Sequence, residues 1–170
     1  MKKFISVLLF LAILTSVTAS ARDKFVRVEG PNLVKPDGKL LYIQGTNLGN
    51  WLNPEGYMFG LSKTNSAWMI DLMLKEMIGP DATADFWQVF LKNYITRDDI
   101  QFIATQGANT IRLPFNYKLF TDEDYMGLTG SKDVFGLIDN VVGWCREAGL
   151  YLILDMHDCP GGQTGDNIDD

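Results

Sequence analysis

From Thr96 to Met156 the apolar positions alternate between the period of a helix and the period of a strand. Thr96 is followed three residues later by Asp99, a variant of the capping box. Ile100, Ile103 and Ala104 then recur at helical spacing until Gly107 ends the run. Asn109 to Leu113 reads as a strand that Pro114 breaks. A longer helix is predicted from about Asp133 to Ala148, where Val134, Leu137, Ile138, Val141, Cys145 and Ala148 keep a 3.6-residue period up to Gly149. Leu150 to Met156 is then a nearly continuous apolar run bounded by Gly149 and by Pro160-Gly161-Gly162, the pattern of a parallel strand covered on both faces. A side-chain period of two puts Tyr151, Ile153, Asp155 and His157 on one face and Leu152, Leu154 and Met156 on the other. On the preceding strand the same rule separates Thr110 and Arg112 from Ile111 and Leu113.

Upstream, Phe25 to Val34 and Lys39 to Gln44 are strand-like runs separated by Pro36-Asp37-Gly38, predicting a hairpin that leads into the first core strand. Two helix-like segments, Ser66 to Ile78 and Asp81 to Tyr94, follow before the Thr96 helix. Met69, Met73 and Met77 read as a core stripe on the first of them. A connection of about 50 residues far exceeds an ordinary βα loop, so it is an insertion, and in a βα barrel such insertions sit on the active face. Strand and helix in alternation predict an α/β fold with a parallel sheet that needs more strands than these.

The N-terminus changes the picture of what folds. Met1-Lys2-Lys3, an apolar core from Phe4 to Leu14 and the small residues Ser16 to Ala21 fit a signal peptide over residues 1–21, leaving 22–170 as the domain segment. The apolar stretch is too short for a membrane span of about 20 residues. Removing Lys2 and Lys3 leaves 13 of the 15 basic residues against 21 acidic ones, a formal charge of about −8, which is unfavourable for nucleic acid. Two cysteines, Cys145 and Cys159, do not make a disulfide scaffold, and their spacing does not establish a bridge.

Candidate chemistry gathers at strand ends. Arg112 and His157, the only histidine, share the same face of successive strands near their C-terminal ends, where barrels and open α/β sheets bind ligands. The alternative is an arginine paired with a carboxylate such as Asp155 and a histidine that satisfies backbone groups. Glu55, in the loop after the first core strand, is flanked by Trp51, Tyr57 and Phe59, an arrangement of rings and polar groups that suits a sugar. The same rings would also make a small core beneath the insertion. A single histidine without ligand spacing argues against a metal site. The segment Pro160-Gly-Gly-Gln-Thr-Gly lacks the lysine of a phosphate loop, and no Gly-x-Ser-x-Gly elbow is present.

Three blocks in order, Gly45-Thr-Asn-Leu-Gly-Asn-Trp-Leu-Asn-Pro-Glu, Gly107-Ala-Asn-Thr-Ile-Arg-Leu-Pro and Asp155-Met-His-Asp-Cys-Pro-Gly-Gly-Gln-Thr-Gly-Asp-Asn, resemble glycoside hydrolase family 5 over nearly all of residues 22–170. The first and third are most similar to its exo-β-glucanase branch. The resemblance implies a (β/α)8 TIM barrel of which this chain supplies about the first three βα units, with an N-terminal hairpin and a helical insertion after strand one. It implies an enzyme, monomeric when complete, hydrolysing a β-glucan or related polysaccharide with retention and without cofactor or metal; the signal peptide makes it secreted, periplasmic or extracellular. Carried over, Arg112 matches the arginine near the nucleophile, and His157 matches the strand-three histidine of the sugar subsite. Glu55, Trp51, Asn47, Gln163 and Asn167 are expected to bind substrate. Asn50 departs from the usual second glycine, and Gly56-Tyr57-Met58 from the usual Pro-Trp. The family's acid/base and nucleophile glutamates end strands four and seven, and no carboxylate here matches either, so the chain alone is expected to be inactive. The competing expectation is a short, non-catalytic glycan-binding protein, disfavoured by the exposed strand edge that it would leave.

Overall fold

A computed structural model describes residues 25–128 and 131–160; the predicted signal peptide, Gln163 and Asn167 lie outside the described residues. The elements run β1 (Arg27–Glu29), β2 (Asn32–Val34), β3 (Gly45–Asn47), α1 (Ala67–Ile78), α2 (Pro80–Asn93), α3 (Arg97–Thr105), β4 (Thr110–Asn116), α4 (Ser131–Ala148) and β5 (Tyr151–Asp158). No helix among the described residues is long and apolar enough to cross a membrane. Contacts divide the chain into residues 1–42 and 43–170.

In the first unit, the predicted single run Phe25 to Val34 folds on itself, with Glu29 opposite Asn32 in an antiparallel pair. Gly30 has φ 58°, which a two-residue hairpin turn needs at its first position, and Pro31 supplies the fixed negative φ of the second. The Pro36-Asp37-Gly38 turn forms as well, bringing Val34 opposite Leu40 in an isolated bridge. No strand continues through Lys39 to Gln44, and the first core strand is only Gly45–Asn47.

The second unit holds a parallel sheet in the order β3-β4-β5. Ile111, Leu113 and Phe115 point from β4 into a core shared with Ile100 of α3 and with Val134, Ile138, Val141 and Cys145 of α4, as the helical spacing predicted. Burial pushes the Cys145 thiol up to about 11, keeping it protonated and inert at neutral pH. The Asp99 carboxylate accepts from both the Thr96 amide at 2.8 Å and the Thr96 hydroxyl at 2.7 Å, which opens α3 as expected. In the insertion, α1 buries Ala67 and Ile70 against the core. Met69 and Met77 are exposed instead, so the methionine stripe lies largely off the buried face.

Pro114 does not end the strand. In a parallel strand, alternate residues direct both backbone groups to the same neighbour. Thr110 and Asn116 donate to Gln44 and Leu52, and Arg112 accepts from Leu48, so the even positions of β4 face the β3 side. The missing N–H of Pro114 therefore falls where β3 has already ended, and the β4–β5 ladder loses no bond. A second departure concerns β5, whose Ile153, Leu154 and Met156 are exposed. The apolar run reads as covered on both faces, yet among the described residues β5 pairs only with β4.

Gly45 lies opposite Thr110 across β3 and β4, and a Cβ there would sit 1.7 Å from the Thr110 carbonyl oxygen. Backbone cannot yield as a flexible side chain can. Gly45→Ala is expected to cost at least ~1–3 kcal/mol in chemical denaturation. Gly136→Ala, on α4 with open space at its Cβ, is expected to gain up to about 1 kcal/mol; equal midpoints for the two variants would refute the close-approach reading.

Candidate active site

The inner face of the sheet, opposite the helices, carries the polar groups. Arg112 on β4 stands opposite Asn47 of β3 on one side and Ile153 of β5 on the other, and these residues line an open groove with Gly45 and Thr110. Arg112 Nη2 forms an ion pair with Asp155 Oδ2. The same nitrogen lies 2.9 Å from His157 Nδ1, and that Nδ1 is 3.1 Å from Asp155 Oδ2. The three side chains are between 28% and 32% exposed, open enough to meet a ligand yet partly withdrawn from solvent. The structure thus brings Arg112 and His157 together as the shared face predicts. Asp155, the carboxylate offered above as the arginine's partner, is the anion that both approach.

The end of the strand is shaped by an irregularity. Phe115 opposes Met156, but Asn116 opposes Asp158, so His157 is an extra residue on β5. Strict alternation would send Asp158 toward the helices. The bulge returns it to the inner face, where the buried Asn116 amide donates to its carboxylate at 3.0 Å. The Asn116 side-chain Oδ1 in turn accepts from the Lys118 amide at 2.9 Å, capping the short 3₁₀ turn Tyr117–Phe120. This Asn116–Asp158 clamp was hidden in the sequence because only a register shift puts the two residues on one face.

Glu55 sits in a separate loop, partly buried. The Asn50 side chain pins it by accepting from the Glu55 amide at 2.9 Å. Asn50 has φ 63°, a left-handed backbone that glycine favours and asparagine tolerates, which explains how it can stand where the family pattern has glycine. Partial desolvation first, then the charge and hydrogen bond of Glu55, hold the Tyr57 hydroxyl above its ordinary range. The Tyr57 ring is largely exposed, while Phe59 packs on Phe90 with ring centroids 5.6 Å apart.

Trp51 offers no exposed ring face of the kind a sugar platform needs. It is fully buried, and its indole N–H donates to the Leu91 carbonyl at 2.9 Å. Both ring faces belong to the core beneath the insertion, because α2 folds back over the loop and offers the carbonyl that a buried indole requires. Among the described residues no three carboxylate, imidazole or thiol groups converge as a cation site.

Comparison with known proteins agrees with this architecture. The chain is 33% identical over 142 residues to a β-xylosidase of Phanerodontia chrysosporium, covering 84% of this chain and 29% of that protein. It is 34% identical over 129 residues to glucan endo-1,6-β-glucosidase B of Emericella nidulans, covering 71% and 31%. It spans about a third of the length of the curated relatives that it matches. The crystal structure of a rutinosidase from Aspergillus niger superposes with a TM-score of 0.56 at 22% identity, covering 73% of this chain and 35% of that one, a likeness of fold. Residues 62–170 match the family described as Cellulase (glycosyl hydrolase family 5). With a three-stranded parallel sheet, helices on its outer face and polar groups at the strand ends, the chain is part of an α/β barrel and belongs to glycosyl hydrolase family 5.

Proposed function

We propose that this chain forms one wall of the sugar-binding cleft of an exported glycosidase that hydrolyses a β-glucan or related polysaccharide with retention of anomeric configuration. The observation that supports it most is the Arg112–Asp155–His157 cluster on the inner face of adjacent parallel strands, the position where barrel enzymes assemble their sites. A guanidinium there stabilises a nearby carboxylate nucleophile in its charged form, and an imidazole N–H binds a sugar hydroxyl. Retention requires two carboxylates about 5 Å apart, one protonating the leaving oxygen and one attacking the anomeric carbon. In this reading later barrel strands supply both and also cover the open face of β5. Glu55, Asn47, Gln163 and Asn167 contribute hydrogen bonds to the sugar.

The test is to incubate the complete enzyme with β-1,3-, β-1,4-, β-1,6- and mixed-linkage glucans and mannan, following the configuration of the first product by proton NMR. Release of β-configured sugar from one of them is expected, and the 170 residues alone are expected to release none. An α-configured first product refutes retention, and no cleavage of any glycan refutes the glycosidase reading.

A further inference from the structure

Three atoms of the inner-face cluster cannot all be satisfied in every protonation state of His157. Arg112 Nη2 donates only, and Asp155 Oδ2 accepts only when ionised. His157 Nδ1, 2.9 Å from the first and 3.1 Å from the second, either accepts from the arginine or donates to the aspartate. If Nδ1 carries the proton, two donors face each other at 2.9 Å and the guanidinium and imidazole compete for one carboxylate oxygen. If Nδ1 is bare, the arginine makes two charge-assisted bonds, one to each partner, and the only unfavourable pair is the longer one, Nδ1 against Oδ2. The shorter contact, to the cation, therefore decides the tautomer.

We propose that Asp155 is a positioning residue that holds Arg112 against His157 Nδ1, fixing the imidazole as its Nε2–H tautomer so that a ligand meets a hydrogen-bond donor. The ion pair orients the guanidinium fork, and the arginine in turn fills the histidine's lone pair. The proton is left on the ring nitrogen away from both, where it suits an oxygen with a free lone pair, such as a sugar hydroxyl. Without Arg112, the carboxylate would draw the proton to Nδ1 and leave Nε2 as an acceptor. The cluster is thus a tautomer selector. The role of the selected proton rests on the glycan-binding reading above, whereas the selection itself rests on the geometry alone.

In the complete enzyme labelled with 15N-histidine, the His157 imidazole nitrogens are assigned through bonds to the His157 backbone amide. Long-range proton–nitrogen correlation at about pH 9, above the ordinary imidazole range, is expected to show an unprotonated Nδ1 and a protonated Nε2. Arg112→Met is expected to exchange the two, moving Nδ1 into the protonated nitrogen region. The double variant Arg112→Met/Asp155→Leu, which leaves no acceptor beside Nδ1, is expected to restore the wild-type pattern, since nothing then draws the proton to Nδ1. A protonated Nδ1 in the wild-type chain overturns the proposal, and that reading needs no variant to fold. An unchanged spectrum in Arg112→Met, or no reversal in the double variant, overturns it as well. These outcomes are independent of catalysis: a glycosidase assay that fails leaves the tautomer result standing, and the converse holds too.

Discussion

Arg112→Ala is expected to lower the turnover of the complete enzyme at least ~100-fold on its best glycan, an effect of the size seen when a preorganised electrostatic partner of the reacting groups is removed. Two losses combine. The guanidinium no longer stabilises a charged nucleophile across the cleft. Asp155, which it neutralises through their ion pair, becomes an uncompensated negative charge on the same wall, and a like charge favours the protonated, unreactive form of a neighbouring carboxylate. The change is expected in kcat more than in KM, because the charge matters most when the nucleophile attacks. Stability should alter far less, since the Arg112 and Asp155 side chains are about a third exposed and solvent screens their attraction. Steady-state kinetics on the polysaccharide that the product assay selects are the check. Near-wild-type turnover would remove Arg112 from the mechanism.

Trp51→Ala should act in the opposite way, on folding and not on chemistry. The side chain is fully buried in a core formed with Leu52, Ile70, Trp87 and Leu91. Truncation of a buried indole costs ~3–5 kcal/mol through lost burial and the cavity left behind. It also leaves the Leu91 carbonyl, which accepts the indole N–H at 2.9 Å, without that donor. Against a whole-domain stability of about 5–15 kcal/mol this removes between about a fifth and all of it. Trp51→Phe keeps most of the ring and loses the hydrogen bond, so about 1–2 kcal/mol is expected. Thermal and urea denaturation of the two variants separate the contributions. An unchanged midpoint in Trp51→Ala, accompanied by weaker sugar binding, would return Trp51 to the substrate.

The difference between these two residues shows what the sequence could reveal. Arg112 was readable because its strand has alternating faces and apolar neighbours, Ile111 and Leu113, that choose the helix side. The capping pair Thr96 and Asp99 and the apolar stripe of α4 were readable for a similar reason: each is a local rule whose partners lie within a few residues. Trp51 was not, because a ring beside a loop carboxylate looks the same whether α2 covers it or a sugar does, and only the fold-back of a segment 40 residues away decides. Pro114 misled because its cost depends on which neighbour its absent N–H would face, a property of the sheet and not of the strand. Of the choice left open at Arg112, the structure shows the pairing with Asp155, and pairing does not preclude a place beside a site. The ion pair is present, and it also brings the guanidinium to His157.

Pro114 also fixes where the barrel wall can be rebuilt. The loop leaving β3 is fastened to β4 at two places, through Leu48 to the Arg112 carbonyl and through the Leu52 carbonyl to Asn116. Opposite Pro114, between these fasteners, no amide is available to bind it. The α1–α2 insertion departs beyond the second fastener and joins the core through Ile70, Trp87 and Leu91, so its outward positions can vary while the register of Arg112 against Ile153 is kept. An engineer who wished to change which polymers reach the cleft would graft there and leave the tautomer selector untouched.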